Sequence, residues 1–299
     1  MKKKIITILL ALTMVLGIFG VATACGSSDT INVYNRESGS GTRDAFLELI
    51  DVDEEDLCLS TELASTGSVL TAVADDENGI GYISLGSVDS TVKALSVDNV
   101  AASAANIIAG SYSVSRPFEL IYQQSNYDSN DLLADFITYL ESADAQEVIS
   151  DYGYVSVYSD AGSYTKPTES FTTTTLTIGG STSVQPLMSI DEDDVSCLIT
   201  AYKEACGQNV SINYSGTGSG TGIANAADGT YDIGFASKTV TSSSFADGTD
   251  VDDMVIYQLC ADGIAVIVNK NNSITNVSLD NLKSIYTGVI TTWTELSEA

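Results

Sequence analysis

The sequence predicts an α/β protein built from two related lobes, and three observations carry that expectation. The chain has 299 residues, 44% of them hydrophobic and 17% charged, which is enough for roughly two domains of about 150 residues each. Short strands run straight into Gly/Ser/Thr turns and then into helical stretches at several places. The segment TGSVLTAVADDENGIGYIS (Thr66 to Ser84) can be laid beside GTGIANAADGTYDIGFAS (Gly220 to Ser237). Each has a Thr-Gly turn, an Ala-rich helical stretch, an acidic turn and a small strand that carries Ile-Gly-aromatic and ends in Ser.

In chain order, Met1 and Lys2 to Lys4 form a basic start, Ile5 to Val21 an apolar stretch, and Ala22-Thr23-Ala24 a small-residue site before Cys25. Residues 1–24 therefore read as a secretory signal peptide and 25–30 as a tether, with an uncleaved membrane anchor as the alternative. Ile31 to Tyr34 is expected as a strand, and Ala45 to Ile50 continues as a helix. Leu132 to Leu140 and Ala145 to Ile149 have helical spacing of apolar residues. Ser159 to Thr175 is polar, lacks periodicity and contains Pro167, which marks a linker. Leu176 to Ile178 and Val210 to Tyr214 are strands. Tyr257 to Leu259 and Ile264 to Asn269 read as two more, the second apolar enough to be buried on both faces, and Leu279 to Tyr286 as a helix.

Composition excludes several functions. With 40 acidic against 12 basic residues, a basic nucleic-acid surface is not available. The absence of histidine removes the Ser-His-Asp triad and most zinc sites, which favours binding over catalysis. Cys58, Cys197, Cys206 and Cys260 lack C-x-x-C spacing, and their pairing stays open.

Three turns carry chemistry of one kind. RESGSGTRD (Arg36 to Asp44), GGSTSVQP (Gly179 to Pro186) and SGTGSGTGI (Ser215 to Ile223) each follow a strand and precede a helix. Such turns aim backbone N–H groups, hydroxyls and a positive helix end at one point, the requirement for an oxyanion, and Arg36 adds a two-pronged donor. Neither G-x-G-x-x-G nor G-x-x-x-x-G-K-[ST] occurs. A Gly/Ser turn between strand and helix is also ordinary punctuation, and Asp44 or Asp232 could serve an enzyme acting on phosphate esters, but no cluster gathers around them in the sequence.

These blocks, with YDIGFASK, CADGIAVIVN, LKSIYTGVITTW, GIGYISLG and YSVSRPFELIYQ, resemble the phosphate-binding lipoproteins of bacterial phosphate ABC importers over nearly the whole mature chain. In that family the STSVQP block comes first; here it stands in the second half, so the order is circularly permuted, a misassembled gene being the competing explanation. The resemblance implies a two-lobed periplasmic-binding-protein-like α/β fold with a hinge. One lobe, residues 31–115 plus 269–299, would carry the RESGSGTRD turn; the other, 116–158 plus 176–268, would carry the remaining two; and 159–175 would link them. The chain would cross between lobes within Tyr112 to Tyr122 and Ala261 to Val268.

The phosphate ligands implied are Arg36, Ser40, Gly41, Thr42, Thr182, Ser183, Ser219 and Ser237. Ser237 stands where the family has a proton-accepting Asp, so selectivity against sulfate is left open; Asp232 is expected to be structural. Cys25 would be lipidated, holding the protein on the extracytoplasmic face of the cell membrane. The partners would be inorganic phosphate and an ABC permease, with no cofactor, metal or covalent chemistry. Another tetrahedral oxyanion (sulfate, molybdate) and a non-transport surface lipoprotein are the alternatives.

Overall fold

The structure, a computed structural model, describes residues 29–189 and 197–298; the leader and Cys25 lie outside the described residues. The first lobe opens with β1 (Asn32–Arg36), α1 (Gly41–Leu49), β2 (Thr61–Leu63), α2 (Thr66–Asp75) and β3 (Gly79–Ser84). β1 lies parallel between β2 and β3, the arrangement that strand–helix–strand crossovers produce. Ser40 and Ser65 cap α1 and α2 by accepting from the Arg43 and Ser68 amides. Then follow β4 (Val92–Ala94), β5 (Ser96–Val97) and α3 (Ala104–Ile108).

β6 (Ser115–Gln123) carries the chain into the second lobe, where α4 (Gln124–Ser129), α5 (Asp131–Leu140) and α6 (Ala143–Asp151) follow. α5 buries Leu132, Leu133, Phe136, Ile137, Tyr139 and Leu140, the i, i+3, i+4 spacing of a core-facing helix. Beyond the linker come β7 (Thr175–Gly180), α7 (Gln185–Met188), α8 (Leu198–Cys206), β8 (Ser211–Gly216), α9 (Ser219–Ala227) and β9 (Ile233–Ala236). Here β7 lies parallel between β8 and β9, as β1 does between its neighbours.

β10 (Met254–Asn269) returns the chain, and β11 (Asn276–Val277), α10 (Leu279–Tyr286) and α11 (Trp293–Glu298) complete the first lobe. The two strands expected from Tyr257 to Leu259 and Ile264 to Asn269 are one strand of 16 residues. Ala261-Asp262-Gly263 looks like a turn in the sequence, yet it stays extended because Asp262 has a buried partner, Arg116, directly across the ladder.

The strand order β2-β1-β3-β10-β6-β9-β7-β8 is symmetric about the β10–β6 pair. Met254–Gly263 of β10 pair with β6, and Ile264–Val268 pair with β3. Ile264, Val266 and Val268 pack with Phe46, Tyr82 and Tyr286 of the first-lobe core, whereas Leu259 and Cys260 belong to the second-lobe core. We therefore propose that the lobes divide at Asp262–Gly263, with residues 264–269 in the first. Both faces of each half-sheet are covered by apolar side chains, which accounts for the continuous apolar text of β3 and β10.

Residues 159–174 contain no helix or strand, but the segment is fastened down. Tyr164 donates its amide to Asp144 and its hydroxyl to Asp135, and packs on Tyr139 and Tyr202. Thr172 donates twice to Asp131. The four cysteines of the described chain are free thiols, three of them buried.

Candidate functional site

The ends of β1, β7 and β8 deliver the three glycine-rich turns to one place between the lobes. Thr42, at the start of α1, shares a hydrogen bond of 2.9 Å with Ser183 in the turn after β7, across the cleft. Gly220 in α9 donates its amide to Gly39 O at 3.0 Å, a backbone bond between two of the turns. No side chain caps α9: its N-cap is Gly218, whose φ of +91° is costly for any residue with a Cβ. Gly41 has no room for a side chain, since a Cβ there would stand 2.5 Å from Ser219 Oγ and 3.0 Å from Ser237 Oγ. A glycine at this position lets the lobes approach this closely.

Ser219 and Ser237 form the second part of the cradle. Their hydroxyls are 3.3 Å apart, and the Ser237 amide donates to Ser219 Oγ. Ser237 O in turn accepts from Arg116 Nη1 at 3.1 Å. Arg116 pairs with Asp262, both fully buried, and Asp262 also accepts from Ser84 Oγ at 3.0 Å. Ser84 and Ser237 end the two similar segments of the sequence, so the internal repeat places one serine from each lobe on either side of this ion pair. Burial pushes the Asp262 carboxyl up to about 6 against the pull of Arg116.

The residues expected from the sequence thus come together, with two amendments. Ser40 is buried beside Gly41, but its hydroxyl is engaged in capping α1. Arg36 is buried, but only Nη1 faces the cluster, 3.4 Å from Thr66 Oγ1; Nε donates to Leu63 O, and Nη2 to Ala64 O and to Glu37 Oε1 at 2.9 Å. Asp232 is structural, accepting from the Thr177 amide and from Asn126.

Thr66 was not among the expected residues. Its hydroxyl lies 3.3 Å from Thr182 Oγ1 and 3.1 Å from Ser183 Oγ, and its amide donates to Thr182 Oγ1. The signal for it was present in the internal repeat, which sets the start of α2 beside the start of α9. A cavity of about 470 Å³, lined by Ser65, Thr66, Leu70, Thr182, Gln185 and Pro186, leads to this cluster. On the opposite side, Lys238 Nζ reaches Asp44 at 2.6 Å from the other lobe.

The PBP superfamily domain matches residues 20–144 and 165–299. Phosphate-binding protein PstS 2 of Streptococcus agalactiae serotype V is 34% identical over 313 residues, spanning 100% of both chains, so the blocks stand in the same order there and are not a misassembly peculiar to this chain. PstS 2 of Streptococcus pneumoniae serotype 4 is 34% identical over 92% of this chain and 90% of its own. Phosphate-binding protein PstS of Bacillus subtilis matches over only 40% of this chain and 37% of its own, at 32% identity. The crystal structure of a phosphate-binding protein of a phosphate ABC transporter from S. pneumoniae TIGR4 superposes with a TM-score of 0.67 at 34% identity, covering 89% of this chain and 99% of that one. A two-lobed α/β fold whose turns meet in the cleft, matched end to end by these relatives, places the chain in the PstS family of phosphate-binding proteins within the PBP superfamily.

Proposed function

We propose that this chain binds inorganic phosphate between its lobes and delivers it to the membrane permease of an ABC importer. One observation carries the reading: hydroxyls from both lobes, on Thr42, Thr66, Thr182 and Ser183, meet within hydrogen-bond distance beside the buried Arg36. Arg36 and the hydroxyls of Thr42, Thr182, Ser183, Ser219 and Ser237 act as donors, with Gly41 keeping the wall close and Ser40 holding the helix that presents it. Apart from Arg36 these donors are neutral, so short-range dipoles hold the anion while the acidic surface stays distant and screened. The function of the named relatives supports this reading, and it is one of capture and release without covalent chemistry.

The site of action is the extracytoplasmic face of the membrane, with Cys25 as the lipid-bearing residue of the leader pattern. No helix among the described residues is long and apolar enough to cross a membrane. Calorimetry with phosphate, sulfate and molybdate tests the reading. Saturable phosphate binding, tighter than that of the other two anions, is expected; heat from none of them, or a preference for molybdate, would overturn it. Thr66→Val keeps the shape and deletes the hydroxyl, and should weaken phosphate by about 1–3 kcal/mol, the cost of a lost buried hydrogen bond. An unchanged titration would remove Thr66 from the cradle.

A further inference from the structure

Hydrogen phosphate and the dianion of a phosphate monoester offer a protein the same three terminal oxygens. They differ in what the fourth oxygen carries, a proton in one and an organic group in the other. A site that wraps the anion on every side rejects the ester by contact, whereas one with space beside the fourth oxygen admits both.

The cavity of about 470 Å³ adjoins the hydroxyl cluster directly, because Thr66 and Thr182 belong to both. Arg36 Nη1 lies 3.4 Å from Thr66 Oγ1, so a phosphoryl head held by these groups borders the cavity. A water molecule takes about 30 Å³ of liquid and pockets for small organic molecules run to about 300–1,000 Å³, so the space suits an organic group. Both lobes wall it, Gly67 and Leu70 from the first and Gln185 and Pro186 from the second, so a cleft that closes on the head encloses a substituent as well. The lining is mostly apolar and carries no charged side chain. A charged substituent there would lose water without gaining a partner, whereas an apolar one gains contact with Leu70 and Pro186.

We propose that the cleft also takes phosphate monoesters of small uncharged alcohols, the phosphoryl head in the cradle and the organic group in the cavity beside α2. This rests on the reading of the cleft as a phosphate site and widens its substrate class.

Gly67 makes the cavity testable without touching the cradle. A Cβ there would meet no atom within 4 Å, and the backbone φ is one that ordinary residues adopt. A larger side chain in the first turn of α2 therefore fills space at no cost to the helix, which gains propensity when glycine is replaced. The test is calorimetry with inorganic phosphate, with monobutyl phosphate freed of inorganic phosphate, and with phosphoethanolamine, on the full chain and its Gly67→Leu and Gly67→Phe variants, with thermal melts as a check on folding. The parent should bind monobutyl phosphate within roughly 100-fold of phosphate, and phosphoethanolamine at least about 10-fold more weakly than the butyl ester. Filling the cavity should weaken monobutyl phosphate by about 10-fold or more, further for Phe than for Leu, and leave phosphate within about 3-fold. Unchanged butyl ester binding in both variants, or equal weakening of ester and phosphate, would overturn the proposal, as would phosphoethanolamine binding as tightly as the butyl ester. Parent protein that binds phosphate but not monobutyl phosphate overturns this proposal alone, whereas parent protein that binds neither overturns the phosphate reading itself.

Discussion

Arg116→Met should lower stability by about 3–5 kcal/mol at pH 8, because it strands Asp262 as an unpaired carboxylate where no solvent reaches. The loss should shrink toward pH 5. Asp262 titrates at 3.8 in an ordinary setting and at about 6 in the fold, so its contribution is fully present below the first value and is lost as pH rises through the second. Removing Arg116 takes away the interaction that restrains this rise, so the variant sheds its stability at a higher pH than the parent but recovers it once the carboxyl is protonated. Denaturant melts of both proteins at pH 5 and pH 8 measure this. Equal losses at the two pH values would show that the arginine acts through its contact with the Phe118 ring and its bond to Ser237 O, not through the carboxylate.

Arg36→Ala should weaken phosphate binding by about 2–5 kcal/mol, roughly 30- to several-thousand-fold, the range for truncating one partner of a buried charge-assisted pair. Part of the effect is local: Leu63 O and Ala64 O lose a donor, and Glu37 loses its cationic partner, so the melting temperature should fall as well. Arg36→Lys restores a charge but not a flat donor that reaches Leu63, Ala64, Glu37 and Thr66 at once, so it should recover little. Titration by calorimetry below the melting temperature separates binding from folding; parental affinity in Arg36→Ala would exclude the arginine from the site.

Much of this was legible in the sequence where the signal is local. The apolar spacing of Leu132 to Leu140 and the uninterrupted run of Ile264 to Asn269 each correspond to an observed element. The three turns were readable because strand, Gly/Ser turn and helix follow one another in the chain. What escaped depends on partners far apart in sequence. Asp262-Gly263 reads as a turn until Arg116, 146 residues away, is known to neutralise it. Thr66 had its signal in the repeat, but a repeat was read as evidence for lobes and not as a map that carries the start of α9 onto the start of α2.

The two ends of the described chain meet. Thr30 bridges Thr292, Ile31 donates to Thr291 O at 2.8 Å, and the Trp293 amide donates to Asp29 O at 3.0 Å. Together with the linker fastened across α5 and α6, this makes the polypeptide almost a closed ring, cut at one point and sealed at another. Where a ring is cut alters little in the contacts of the folded state, and the entropy of closing a loop varies only slowly with its length. Genes that begin at different points on the circle can therefore encode the same cleft, and linear comparison between them recovers only an arc.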